Sequence, residues 1–410
     1  MARAAAAAAA AAALQLPPVA PRAGSNPSTT TIASLSDDIV LEIFLRLPSL
    51  PSLVRATMTC RPWLRAVVSS PEFRRRFRAL HPNPILGYFL DSDGSDFPVT
   101  PIFVKSSPPE ADFTDGFRFG DFFLHSLMQE GDPPGWHVCD CRGGYLLLLN
   151  SPCRKLAALN PLIWDVAFFP LPPGDIELEF VGFHLLSSDE DPWSFRVVCV
   201  CRDEFRVRAA VFSSKTWDWI IHPWVEFDRD SMPMLKASVL VNGSIYWPHE
   251  GGGGMMTLNA ATLVFSSVGL PCEFMIQGCS FSAGETKDGG LCLVYAIDIF
   301  LTVWIPRVDN DGIERWMPLM VVTLAPYMRS IIGDWQANYS GLRVVGVRSG
   351  YVFLQTVTIP DSQAPCWFFS VSLETMRLEN LFPVKPSSYF YPHEVEGSVT
   401  ILGEEWMPMC

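Results

Sequence analysis

Several familiar signatures are missing from this sequence. It has no Gly-x-Ser-x-Gly elbow, no glycine-rich phosphate loop and no His-Glu-x-x-His pair, so the commonest hydrolase, nucleotide and zinc-protease chemistries lack their usual residues. No long run of Leu, Ile or Val supplies the roughly 20 apolar residues of a membrane helix. The ten alanines at 4–13 are too weakly apolar for the core of a secretory signal. Positive charge is in deficit: 30 Lys and Arg face 43 Asp and Glu, for a net −13. That balance argues against nucleic acid, whose phosphates call for a basic face. The 11 cysteines are odd in number and scattered, with no small disulfide framework, which is the usage of a reducing compartment with mostly buried thiols. The expected location is the cytoplasm, the nucleus or both.

Proline, glycine and aromatic residues are abundant instead. The 410 residues include 35 Pro, 28 Gly, 28 Phe and 13 Trp, a mixture that favours many short strands joined by turns over long helices. Residues 1–32, alanine-rich and then proline-rich, read as a disordered low-complexity tail rather than a transit peptide. Charge divides unevenly. Residues 33–80 hold eight Arg against four acids, and the tail adds Arg3 and Arg22, so residues 81–410 carry −19. Surface acids of that kind confer solubility and suit a basic protein partner.

The stretch 33–80 is the one place with helical signals. Ser36 followed by Asp37 and Asp38 forms a helix start, with a hydroxyl to cap free amides and carboxylates at the positive dipole end. Ile39, Ile43, Phe44 and Leu47 then fall on one stripe until Pro48. Pro51, Pro62 and Ser70-Pro71-Glu72 open three further short helices, the last arginine-rich with Phe73 and Phe77 four apart. The first helix is apolar almost all round, and a short terminal module of this kind calls for a covering partner.

The order of residues here resembles the F-box. Leu35, Asp38, Ile39-Val40, Glu42-Ile43-Phe44 and Arg46-Leu47-Pro48 match its first half, and Leu53, Arg55 and Cys60-Arg61-Pro62-Trp63 its second. Ser36 stands where the family usually has Pro, and Thr59 where it usually has Val. The resemblance implies a non-catalytic substrate receptor of a Skp-cullin-F-box ubiquitin ligase. It implies that Leu35, Ser36, Ile39, Ile43, Leu47, Pro48, Leu53 and Trp63 bind the Skp-type adaptor, and through it a cullin.

From Pro84 onward short apolar runs alternate with turn residues in a repeated two-part form. One part is a turn glycine and a strand, as at Gly143-Gly144, Asn242-Gly243, Asp288-Gly289 and Ser349-Gly350. The other is a strand, a polar turn and a strand ending at Pro, as from Ala209, Met256 and Trp367, and more loosely from Leu156. Five units lie between about 137 and 385, and a sixth would join Ile85–Leu90 to Ser398–Leu402. The expectation is a small all-α module followed by a large all-β domain at 81–410. That domain would be a β-propeller of about six blades, with an irregular β-sandwich pair as the alternative. This half resembles the F-box-associated, kelch-like domains of plant F-box proteins, which implies that it holds a protein target.

Candidate sites in the β domain are few. His137, Cys139 and Cys141 are two apart and would share a strand face, as would Cys199 and Cys201, but structural zinc favours Cys-x2-Cys turns. They are read as buried side chains, and no metal or cofactor is expected. Glu177, Glu179, Asp189, Glu190 and Asp191 decorate a loop, and Gly251–Gly254 forms a hairpin tip. Most tryptophans should fill gaps between sheets. Trp193 and Trp335 are the candidates for exposed anchors of a target. Two other readings are a propeller enzyme or ligand sensor, and an F-box protein acting outside a ligase.

Overall fold

The structure is a computed structural model. It describes residues 35–81, 85–92, 100–106, 120–128, 135–162, 164–174, 179–187, 194–234, 238–249, 253–271, 274, 280–309, 311–312, 314–332, 335–360, 362–384 and 388–394. The tail 1–32, Trp193, most of the acidic loop, Gly251 and Ser398–Leu402 lie outside the described residues.

Four helices come first: α1 (Asp37–Phe44), α2 (Leu50–Met58), α3 (Arg61–Ser69) and α4 (Pro71–Leu80). Asp37 and Asp38 occupy the first turn of α1, but Ser36 makes no side-chain cap. Its backbone is extended and its carbonyl accepts from the Val40 amide at 3.1 Å, so the start is set by backbone and dipole. The hydroxyl cap is made at α4, where Ser70 accepts from the Phe73 amide at 3.2 Å. Pro51 and Pro62 sit in the first turns of α2 and α3, where a missing N–H costs nothing. Val40, Phe44, Leu50, Leu53, Val67, Phe73 and Phe77 are buried together. Arg74 of the arginine-rich helix is buried too, and donates to the carbonyls of Val67 and Val68, so it ties α4 to α3.

The remaining elements are mostly strands. The first sheet is β3 (Trp136–Arg142), β4 (Tyr145–Asn150), β5 (Lys155–Asn160) and β6 (Asp165–Pro170). The second is β7 (Glu179–Ser187), β8 (Phe195–Arg202), β9 (Arg206–Ser213) and β10 (Asp218–Ile221), with β11 (Val225–Glu226) also on β9. The third is β12 (Val239–Val241), β13 (Ser244–Pro248), β14 (Gly254–Asn259) and β15 (Phe265–Gly269). A fourth, eight-stranded sheet joins two meanders. One is β16 (Ser280–Glu285), β17 (Leu291–Ile297), β18 (Phe300–Val308) and β19 (Glu314–Thr323). The other is β20 (Tyr339–Arg348), β21 (Tyr351–Thr358), β22 (Cys366–Ser372) and β23 (Leu378–Val384), preceded by the short helices α5 (Ala325–Ile331) and α6 (Trp335–Asn338). The two ends of the ring meet in a three-stranded sheet of β1 (Ile85–Ser92), β2 (Ile102–Lys105) and β24 (Ser388–Glu394).

This is a propeller arrangement with four blades of consecutive strands, where six were expected. The fourth and fifth expected units are one sheet, because β16 and β20 pair in parallel at Gly284↔Val347. A Cβ on Gly284 would stand 2.2 Å from the Val347 carbonyl oxygen, so only glycine permits that approach. The expected sixth unit is the sheet of β1, β2 and β24. Its carboxy-terminal strand among the described residues is Ser388–Glu394, paired antiparallel with β1 through Tyr88↔Pro392 and Leu90↔Phe390. Tyr88 and Phe390 fill a core with Phe353 and Phe368.

Stacked sheets bury both faces, and this explains the unbroken apolar strands. Along β8, Val197 and Cys199 join the core toward the first sheet, while Val198 and Val200 join the core toward the third. Trp247 is fully buried in that second seam. The turn glycines do what their positions require. Asn242-Gly243 and Ser349-Gly350 are two-residue hairpin turns with positive φ at both residues, the geometry that matches strand twist. The other repeated turn holds a bulky residue at positive φ in four copies, Trp164, Trp217, Leu263 and Met376. The first residue of each of these turns, Asn160, Ser213, Asn259 or Ser372, accepts a turn amide on its side chain.

Candidate functional site

Two surfaces stand out, one on α1 and one at the propeller axis. On α1, Ile39 and Ile43 lie one turn apart and are 49% and 42% exposed, while Val40 and Phe44 face inward. Ser36 and Pro48 are also exposed. Leu35, Leu47 and Trp63 are partly buried against the helical core, with the Trp63 ring edge-on to Phe44 at 5.6 Å. Leu53 is 2% exposed and belongs to that core, so it offers no surface to a partner. Beside the isoleucines, Glu42 accepts from Arg76 at 2.7 Å and links α1 to α4.

At the axis the inner strands β24, β3 and β7 face one another around a cavity of about 210 Å³. Charged side chains cross between strands here. Asp91 of β1 is buried and accepts from the Val138 amide at 2.9 Å, with His137 Nδ1 3.3 Å away. Asp140 accepts from the Leu185 amide at 2.8 Å, tying β3 to β7. Arg142 donates to the Leu240 carbonyl at 2.9 Å, and Arg348 of β20 donates to the carbonyls of Cys141 and Pro392. His184 is buried, its Nε2 lies 3.0 Å from the Ser238 hydroxyl, and its pKa is lowered to about 4. Burial is the main cause; Arg142 adds to it and Asp140 opposes it, so the imidazole is neutral at pH 7.

The cysteine readings resolve individually. A bulge between Val138 and Asp140 shifts the register, leaving His137 exposed and Cys141 buried, so His137, Cys139 and Cys141 do not share a face. Burial pushes the Cys199 thiol well above its usual range and Cys292 to about 12. Among the described residues no group of three His, Cys, Asp or Glu could hold a metal ion.

Trp335 is not an exposed anchor. It lies in α6, 8% exposed, stacked on Tyr339 at 5.1 Å with its indole nitrogen 3.3 Å from the Asp298 carboxylate. Among the described residues the exposed tryptophans are Trp164 and Trp217, both at the positive-φ corner of the repeated turn. Sequence reading missed this corner because its polar turn residues gave no sign of which neighbour is forced outward. It also missed Asp91, Phe180, Tyr389 and Tyr391 of the axial cavity. They are drawn from strands some 300 residues apart, and no local pattern joins them.

The family model for the F-box protein AT5G49610-like β-propeller matches residues 137–359, more than half of the chain. The chain therefore belongs to the family of F-box proteins with an AT5G49610-like β-propeller. No curated protein matches it. Among solved structures, an oligogalacturonate lyase in complex with manganese is similar at 11% identity and TM-score 0.35, covering 62% of this chain and 65% of its own. TolB from Acinetobacter baumannii is similar at 12% identity and TM-score 0.32, over 59% of this chain and 53% of its own. A 6-phosphogluconolactonase homologue from Bacteroides uniformis is similar at 11% identity and TM-score 0.32, over 61% and 71%. Likeness at that level carries no functional argument.

Proposed function

We propose that the chain is the substrate-recognition subunit of a Skp-cullin-F-box ubiquitin ligase. In this reading α1 docks the Skp-type adaptor, and through it a cullin, while the propeller holds a target protein. The receptor contributes proximity and no catalytic group: it keeps target lysines near the ubiquitin-loaded enzyme, and that positioning is its whole chemical contribution. It would act in the cytoplasm, the nucleus or both.

The observation that carries the reading is the exposed pair Ile39 and Ile43 on a helix whose other apolar residues are inside. A helix that keeps such a pair in water, in a sequence with the F-box order, has a face to offer a partner. Membership of an F-box propeller family supports it independently.

The test uses the full chain expressed in cells with an affinity tag. The adaptor and a cullin are expected to co-purify with it, and both are expected to be lost in Ile39→Asp/Ile43→Asp. These two positions are better than Leu47, whose side chain packs on the helical core. Proximity labelling with and without proteasome inhibition then separates a ligase from an F-box protein acting elsewhere. Neighbours that accumulate only under inhibition support the ligase, and an unchanged set contradicts it.

A further inference from the structure

We propose that the axial cavity receives a basic side chain, lysine or arginine, of the target protein. This rests on the receptor reading above and gives its target a chemistry. The residues lining the cavity include Phe180, Phe183, Tyr389 and Tyr391, with Asp91 and His137 beside them. At about 210 Å³ it is smaller than the roughly 300–1,000 Å³ of pockets that hold cofactors and drug-sized ligands. Its size suits one long side chain.

Three features select a cation. Aromatic faces are negative and attract ammonium and guanidinium groups. Among the described residues that line the cavity none is Lys or Arg, whereas Asp91, Ser151 and Ser238 are present. Asp91 is 6% exposed and accepts from Val138 and meets His137, and a carboxylate has about four acceptor positions, so it can take a further donor. The Tyr391 hydroxyl reports the local field: its pKa is held well above the phenol range by burial first, then by Cys139 and by the carboxylates of Asp91 and Asp140. Of these causes, the carboxylates of Asp91 and Asp140 favour an entering positive charge. An apolar side chain would seal Asp91 from water without a counter-charge, and an acidic one would meet repulsion. At long range, the −19 of residues 81–410 steers a basic partner toward the domain.

The experiment titrates the full chain with blocked tripeptides Gly-Arg-Gly, Gly-Lys-Gly, Gly-Leu-Gly and Gly-Glu-Gly, and with butylamine, following intrinsic fluorescence. Saturable binding is expected for the Arg and Lys peptides and not for the Leu and Glu peptides. Two variants locate the site. Asp91→Asn keeps an oxygen for the Val138 amide but removes the charge. Ser151→Phe fills the mouth from an exposed turn and leaves the core untouched. Each should weaken the Arg peptide by about tenfold or more, Ser151→Phe with an unchanged thermal midpoint. Absence of saturable binding, equal binding of the Leu peptide, or unchanged affinity in either variant overturns the proposal. So does binding of butylamine without the peptides, which would make the occupant a free amine. None of these readouts involves the adaptor, so failure here and failure of adaptor binding are separate results.

Discussion

The helical module packs within itself and against β1 and the first sheet, whereas the ring closes through contacts between its two distant ends. In the helices the contacts are near in sequence: Phe73 stacks on Phe77 at 5.8 Å, Phe44 meets Trp63, and Arg74 closes onto the carbonyls of α3. That core continues through Leu86 and Phe89 of β1 into Trp136 and Leu146 of the first sheet, and it leaves Ile39 and Ile43 uncovered. In the ring, partners are distant. Arg348 reaches Cys141 207 residues away, and Tyr88 of β1 packs with Phe390 of β24. The ring packs large side chains between its sheets, leaves others such as Trp164, Trp217 and Phe300 in water, and lines the axial cavity with Asp91 and His137. One region therefore offers an apolar face, and the other a small acidic, aromatic-lined cavity.

If that contrast is right, truncation in the ring should cost far more than change on α1. Trp247→Ala, in the seam between the second and third sheets, should lower unfolding free energy by about 3–5 kcal/mol, read from urea denaturation of the full chain. The axis supplies the next effect. His184 has its pKa lowered on folding from 6.5 to about 4, so in that window the unfolded chain binds a proton that the folded chain refuses. Stability is full above pH 6.5 and falls as pH drops through the window, by about 3 kcal/mol in all. His184→Gln should flatten that part of the pH profile; a profile that keeps its slope would place the titration elsewhere.

A third change probes the fusion of the two meanders. Gly284→Ala puts a Cβ against the Val347 carbonyl and should cost about 1–3 kcal/mol, with hydrogen exchange rising first at β16 and β20. The smallest effect belongs to the helices. Arg76→Ala removes an ion pair whose members are 52% and 54% exposed, and should shift stability by no more than roughly 0.5 kcal/mol. A larger loss there would mean that the helical module is held by its surface and not by its core.

What was legible in the sequence follows the same division. Helix starts at Pro51, Pro62 and Ser70 are local, and they are where the proline and serine signals put them. The hairpins at Asn242-Gly243 and Ser349-Gly350 are local too, since positive φ at two residues needs that chemistry. Ser36 shows the limit of such reading: the residue type suits a cap, but its hydroxyl makes none. Blade count failed for a longer-range reason, because β16 and β20, which join the two meanders at Gly284↔Val347, are some 60 residues apart in sequence. The strand Ser388–Glu394 went unread, because its partner β1 and the Tyr88 it packs on lie some 300 residues away. Trp335 was misread because the helix that turns it inward is four residues long, too short to leave a periodic apolar pattern. The axial cavity left no trace in the text, since its walls come from both ends of the chain.

The central claim is that the α1 face is a docking surface uncoupled from the fold. The most direct measurement is the affinity of purified adaptor for the full chain and for Ile39→Asp/Ile43→Asp, with the urea midpoint of each. The account predicts that affinity falls by about a hundredfold or more while the midpoint stays within the roughly 0.5 kcal/mol expected of exposed positions. Undiminished affinity in a folded variant would contradict it, as would a midpoint that falls together with binding.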